Sequence, residues 1–444
     1  MVFAQWALLP EGWCRHVRAG FHAGMIATVE KETAPRPGDV QVQCLVPGMP
    51  NLHSHAFQRG FSGLTERRGA TRESFWSWRE MMYKFALSLD PDGVQALAAL
   101  AYMEMLEAGF TRVGEFHYLH HAPNGTRYAN PAELSARIFA AAAESGIALT
   151  HLPVFYAHGG FGPAPASVEQ RRFSFDVDGF IRLVQTCDSL ARPQDCVGYA
   201  PHSLRAVTKA ELDMLQDGLP GRAVHIHIAE QMKEVEDCHA AYGARPVQWL
   251  LDNAAVGARW CLVHATHVTA AERDAIAAAG AVAGLCPVTE ANLGDGLFPA
   301  EAFLAAHGRI GIGTDSNIRI DAAEELRLLE YGQRLLHQQR NVLAEPNGST
   351  GRRLFTACLA GGAQALGAAM PEIRQGAPAD CVALEDMAGL HLEGDTLLDR
   401  WIFGHDGRVR DVWAAGEHVV RDGQHIKREA IVRRASQVLQ KTLQ

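Results

Sequence analysis

Between residues 47 and 365 the sequence alternates between two kinds of segment, and this alternation limits the possible fold more than any other feature. Short apolar runs such as "TRVGEFHYL", "ALTHLPVFY", "AVHIHIAE", "WCLVHAT", "AVAGLCP" and "RIGIGTDS" read as buried strands. Between them lie Ala- and Leu-rich stretches, among them "DGVQALAALAYMEMLEAG", "PAELSARIFAAAAESG", "TKAELDMLQDGL", "TAAERDAIAAAG" and "AAEELRLLEYGQRLLHQQR", which read as helices. Repeated strand-then-helix units imply a parallel sheet in an α/β fold, and about eight of them fit a (β/α)8 TIM-type barrel. A doubly wound sheet is the weaker alternative, because no Gly-rich phosphate loop follows the first strand.

The flanks read differently. Residues 1–46 hold short apolar stretches separated by polar turns, such as "QWALLPEGW" and "HAGMIATVE". After about residue 370 the helices thin out, and "GAPADCVALE" and "VRDVWAAGEHVVRDGQHI" read as strands and tight turns. We therefore expect a small β-sandwich domain built from 1–46 and 370–444, and a barrel over 47–369. A chain of 444 residues has the length for one large and one smaller domain.

Composition removes several classes of function. With 41 basic against 50 acidic residues the net charge is −9, and no basic cluster suggests a nucleic-acid surface. No apolar run approaches the ~20 residues that span a bilayer, and "MVFAQWALLPEGWCRHVRAG" lacks the pattern of a secretory signal. Nine scattered cysteines without CxxC spacing suggest reduced thiols and a cytoplasmic location.

The chemistry starts at "GMPNLHSHAFQR", residues 48–59. On a strand, His53 and His55 point to the same side and can meet at one metal ion. Catalytic groups of a barrel sit at the C-terminal ends of its strands. There "VHIHIAEQ" offers His227 and Glu230, "CLVHATHV" offers His264, and "GIGTDSN" offers Asp315. His53, His55, His227 and Asp315 make three nitrogens and a carboxylate, a set suited to Zn²⁺ with an open position for water. Glu230 and His264 then remain as proton carriers. Blander readings stay open at this point. Either His225 or His227 could be a satisfied core histidine, Glu230 a helix-cap carboxylate, His264 a loop residue, and Asp315 an N-cap.

Taken together, the HxH pair, the "HxxE" of His227 and Glu230, the strand-end His264 and the "TDS" of Asp315 resemble the amidohydrolase superfamily. The resemblance spans nearly the whole chain. It points to the mononuclear deaminase branch, since "ALTHLPVFYAHGG" lacks the lysine that bridges two metals in binuclear members. Within that branch, "NLHSHAFQRGFSGL", "ESFWSWREMMY", "GEFHYLHH", "YAPHSLRAV" and "HIHIAEQ" resemble the formimidoylglutamate deiminases.

That resemblance implies one Zn²⁺ per subunit, with Fe²⁺ also compatible with the ligand types. It further implies a homodimer, a small dicarboxylate substrate, and substrate contacts from Gln58, Arg79, Tyr118, His202 and Arg205. Two arginines suit a substrate with two carboxylates, because guanidinium groups bind carboxylates through paired, charge-assisted hydrogen bonds. Left to itself, Arg79 reads as a surface salt-bridge residue and Arg205 as a helix-start residue. The implied reaction is hydrolytic deimination, with His264 and Asp315 taking the proton of the attacking water and Glu230 protonating the departing nitrogen. Other mononuclear aminohydrolases, a binuclear amidase and a non-catalytic barrel are the competing readings. His117, His120 and His121 read as loop histidines, with His117 a possible support for the site.

Overall fold

The structure is a computed structural model that describes every residue except 69–74, 391, 405 and 443–444, and gives only the backbone of 75–77. The opening residues of the "ESFWSWREMMY" motif and the end of the basic "TERRG" stretch therefore lie outside the described residues.

Four strands open the chain: β1 (Val2–Leu9), β2 (Gly12–His22), β3 (Met25–Glu30) and β4 (Val40–Pro47). The middle of the chain contributes β5 (Met49–Ser54), β6 (Phe110–His117), β7 (Ala148–Phe155), β8 (Cys196–Val197) and β9 (Ala200–Pro201). It continues with β10 (Val224–Ile228), β11 (Trp260–His264), β12 (Val282–Leu285) and β13 (Arg309–Ile312). The last group is β14 (Cys381–Asp386), β15 (Gly407–Ala414), β16 (Glu417–Arg421) and β17 (Gln424–His425).

The middle strands form two parallel sheets. One runs β5-β6-β7-β8, with β9 also paired to β7, and the other runs β10-β11-β12-β13. Single parallel bridges, Ser54 to Asp315 and Tyr199 to Val224, join the two sheets at both edges. At the first join, His55 N donates to Asp315 O and Asp315 N donates to His53 O, each at 2.9 Å. Backbone hydrogen bonds thus hold two of the expected ligand segments side by side.

Leu52, Cys261, Val263 and Val282 pack with Ala365 and Leu366 in a small core of their own. The packing there is tight enough to require glycine. A Cβ at Gly311 would lie 2.4 Å from a Leu52 methyl, and one at Gly284 would lie 2.9 Å from the other.

Each expected helix forms, including Pro91–Glu107, Glu133–Ser145, Lys209–Gly218, Ala270–Ala279 and Ala322–His337. Their starts follow local chemistry. In "TKAE" and "TAAE", Thr208 and Thr269 cap helices while Glu211 and Glu272 reach back, two reciprocal capping boxes.

Strands from both ends of the chain join in one eight-stranded sheet, ordered β17-β16-β15-β14-β4-β1-β2-β3. The expectation was a sandwich. Antiparallel pairing of β4 with β14 instead makes the two terminal groups a continuous hydrogen-bonded sheet. Both faces of this sheet are buried. Cys381 and Ala383 pack in one core and Val382 and Leu384 in another, as the two-residue repeat of a strand requires.

The C-terminal part is also more helical than expected. Asp395–Phe403 and Arg428–Thr442 are helices, and the second packs along Pro91–Glu107. Arg428 pairs with Glu107 at that contact. All nine cysteines are free thiols. Among the described residues, no helix is long and apolar enough to cross a membrane.

Candidate metal centre and active site

His53 and His55 project from the end of β5, His227 from the end of β10, and Asp315 from the turn after β13. His53 Nε2 lies 3.2 Å from His55 Nε2 and 3.0 Å from His227 Nε2. Asp315 Oδ1 lies 3.4 Å from His53 Nε2 and 3.2 Å from His55 Nε2. All four side chains are buried, and one ligand atom from each falls within 4.8 Å of the others.

Hydrogen bonding on the far side of the rings fixes what these atoms can do. His55 Nδ1 lies 2.9 Å from Phe116 O, and His227 Nδ1 lies 3.1 Å from His202 O. A carbonyl only accepts, so each Nδ1 carries the proton and each Nε2 presents a lone pair. Burial pushes His53 down to about 3, and burial together with neighbouring imidazoles holds His227 well below the usual range. Burial alone would raise the Asp315 carboxyl, but His53 and His55 beside it hold it well below its ordinary value. Bare lone pairs and an ionised carboxylate converge here with too few protons to share. That donor set fits a divalent cation.

The proposed proton carriers sit at the rim of this group. His264 Nε2 lies 3.8 Å from Glu230 Oε1 and 3.7 Å from Asp315 Oδ2. Burial pushes the Glu230 carboxyl up to about 7, against the opposing pull of His264. Burial alone would lower His264, but Glu230, Glu290 and Asp315 outweigh it and hold the imidazole well above its usual value. The turns that carry these groups are strained. Ala229, His264 and Asp315 all adopt left-handed backbone, with φ of 51°, 67° and 45°.

The structure also decides between the open readings. His225 Nε2 donates to Ala365 O at 2.8 Å, so His225 is the core histidine and His227 the one that faces the cavity. Asp321, not Asp315, caps the helix Ala322–His337. Gln231, not Glu230, is the N-cap residue of the helix Met232–Tyr242.

A single cavity is lined by His55, His227, Glu230, His264 and Asp315. Gln58, Arg79, Tyr118, His202 and Arg205 line the same cavity. Gln58 Nε2 donates to Tyr118 Oη at 2.8 Å, and Gln58 Oε1 is buried with no hydrogen-bond partner among the described residues. Arg79 lies over the Tyr83 ring and donates to Tyr156 Oη at 3.2 Å. Arg205 is buried 3.6 Å from Glu234. Burial, then Arg205 and Arg79, hold His202 well below its usual range.

Sequence reasoning missed several contributors. Glu290, in the helix that follows β12, accepts from Cys286 N and lies 3.2 Å from His264 Nδ1. The strand-end position of "LCPVTE" was the available signal. Asn51 donates to Thr314 at 2.7 Å and Thr314 to Asn317 at 2.6 Å, a buried chain that ties β5 to the Asp315 turn. His120 and His121 are buried rather than plain loop residues, and each lies 2.8 Å from a carbonyl, those of Val154 and Ser174.

Comparison with known proteins agrees with this geometry. The amidohydrolase family profile matches residues 44–419. The chain belongs to the amidohydrolase family. Residues 1–43 match a second profile, the N-terminal domain of formimidoylglutamate deiminase HutF. The chain is 50% identical to the formimidoylglutamate deiminase of Pseudomonas aeruginosa, over 99% of this chain and 98% of that one. A crystal structure of an amidohydrolase from Brucella melitensis superposes with a TM-score of 0.97 at 52% identity, covering 100% and 99% of the two chains. An adenosine deaminase from Xanthomonas campestris shares the fold, with a TM-score of 0.81 at 24% identity and coverage of 100% and 98%.

Proposed function

We propose that this amidohydrolase hydrolyses N-formimino-L-glutamate to N-formyl-L-glutamate and ammonia, a step of histidine degradation. The observation that carries the reading is one cavity that holds two arginines, Arg79 and Arg205, together with ligands of the buried His53, His55, His227 and Asp315 group. The substrate calls for both features: two carboxylates, one on the carbon that bears the formimino nitrogen and one at the end of the side chain, and a basic formimino group to be hydrolysed. The 50% identity to the Pseudomonas enzyme supports the assignment.

His53, His55, His227 and Asp315 would hold one ion, which we assign as Zn²⁺ from its three nitrogens and single carboxylate. When bound, the ion supplies Lewis-acid activation of a water. The positive charge of a bound ion would offset the carboxylates that favour the imidazolium, so that neutral His264, with Asp315, would accept the attacking water's proton as its oxygen adds to the formimino carbon. Glu230, whose carboxyl is held protonated up to about 7, gives its proton to the terminal nitrogen, which leaves as ammonia. Arg79 and Arg205 hold the glutamate carboxylates, with Tyr118 and His202 adding polar contacts. Gln58, whose Oε1 has no partner among the described residues, faces the substrate.

For the architecture, we read the two bridged parallel sheets as one closed (β/α)8 barrel over residues 47–369. The terminal sheet, 1–46 with 370–444, is a separate small domain. A cytoplasmic homodimer completes the proposal; the free thiols are in keeping with that compartment.

The test is to incubate the purified, zinc-loaded protein with N-formimino-L-glutamate, follow ammonia, and identify the second product by mass. Ammonia with N-formylglutamate is expected. Formamide with glutamate would overturn the bond assigned. No reaction, with activity on guanine or an adenosine derivative instead, would overturn the substrate.

A further inference from the structure

Beside the first ligand group lies another that deimination leaves unused. One ligand atom each from His264, Cys286 and Asp315 falls within 4.8 Å of the others, all buried. Asp315 belongs to both groups. Oδ1 faces His53 and His55 at 3.4 and 3.2 Å, and Oδ2 faces His264 at 3.7 Å. A carboxylate turned this way can bridge two neighbouring cations.

His264 is oriented as a ligand would be. Its Nδ1 lies 3.2 Å from Glu290 Oε1, which directs Nε2 toward Asp315. Cys286 follows β12 and is the N-cap residue of the helix Pro287–Leu293, with no side-chain capping bond. It is fully buried among apolar neighbours, where it adds nothing to the proposed reaction.

The surroundings are richer in buried carboxyl groups than the reaction needs. Glu230, Glu290, Asp295 and Asp315 are all buried, and Asp295 Oδ2 has no hydrogen-bond partner among the described residues. Burial, then Glu230, pushes the Asp295 carboxyl up to about 9, as a carboxylate kept among carboxylates should behave. An added cation would relieve that crowding.

We propose that His264, Cys286 and Asp315 form a second, inhibitory site for a soft divalent cation, Cd²⁺ or Zn²⁺ in excess. The thiol selects the class, because sulfur prefers soft and borderline cations over Mg²⁺ or Ca²⁺. On binding, the Cys286 S–H bond breaks, its proton goes to solvent, and the sulfur electron pair forms the bond to the cation. The ion then occupies the His264 Nε2 lone pair and the Asp315 oxygen that would take the proton of the attacking water. Inhibition follows directly. The inhibitory effect rests on the proposed roles of those two residues; thiolate ligation does not.

The experiment titrates Cd²⁺ into protein loaded with one equivalent of Zn²⁺. Three readouts are followed: the ultraviolet sulfur-to-cadmium charge-transfer absorbance, bound zinc and cadmium after desalting, and turnover. The expected result is one added equivalent of cadmium, retained zinc, a thiolate absorbance, and a fall in kcat of about a hundredfold, the low end for losing a general base. Cys286→Ala should keep the activity of the one-zinc enzyme and lose both the absorbance and the inhibition, and Cys286→Ser serves if the alanine variant folds poorly. The same absorbance in both variants, zinc displaced by cadmium, or no second equivalent would each overturn the proposal. Failure to hold the first zinc, seen before any cadmium is added, would count against the metal centre itself.

Discussion

In the cavity His55, His227 and Asp315 present electron pairs with few protons among them. In the same cavity Arg79 and Arg205 present protons on guanidinium groups, a donor end in the chemical sense. The acceptor residues and Arg205 are buried and Arg79 is half-buried, so both groups pay for desolvation, but they meet that cost differently. The acceptor end depends on a cation from outside the chain. The donor end is already partly neutralised within it, Arg205 by Glu234 at 3.6 Å and Arg79 by stacking on Tyr83 and its bond to Tyr156. One end therefore needs loading before it works, whereas the other stands ready for an anionic substrate.

The strongest way to break this contrast is to remove a ligand at the acceptor end. His227→Ala should leave the protein without tightly bound metal and reduce turnover to background, while substrate-analogue binding at the arginine end persists. Metal analysis with calorimetry of analogue binding checks both halves. Next in size, Glu230→Gln should lower kcat by ~10²–10⁴-fold with metal content unchanged, and a wild-type rate would remove Glu230 from proton transfer.

At the donor end, Arg205→Met should lower kcat/KM by about a hundredfold and act mainly through KM, as loss of uniform binding predicts. A thermal melt must accompany it, because Glu234 would be left buried beside an apolar side chain. Smallest is Glu290→Gln. It keeps the bond to His264 but weakens its charge, and should cost about tenfold in kcat with little change in KM, as for other groups that orient a working imidazole. An unchanged kcat would make Glu290 a helix-start residue and nothing more.

Much of the acceptor end could be read from the chain alone. His53 and His55 are two residues apart on β5, and His227 and Glu230 flank the end of β10, so local periodicity carries the information. The helix starts at Thr208 and Thr269 were equally local. What could not be read is what meets across the fold. The hydrogen bond from Asn51 to Thr314 spans 263 residues, and the choice between His225 and His227 depends on a carbonyl at Ala365. The donor end was legible only through resemblance, since an isolated arginine has no pattern that separates a substrate contact from a surface ion pair. The helix Arg428–Thr442 escaped notice because it buries only Ile431 and Ala435 fully, too sparse for a clear apolar stripe.

The pairing of β4 with β14 and the seating of Arg428–Thr442 on Pro91–Glu107 also set a timetable. During synthesis, β1 to β3 can form hairpins at once, but the free edge of β4 and the outer side of Pro91–Glu107 must wait for segments hundreds of residues downstream. The nascent chain carries an open strand edge and an uncovered apolar helix face through most of its translation, the kind of surface that chaperones hold and that aggregates when they do not. Final closure is thus a late event, with a folding rate governed by the search for distant partners rather than by the helices.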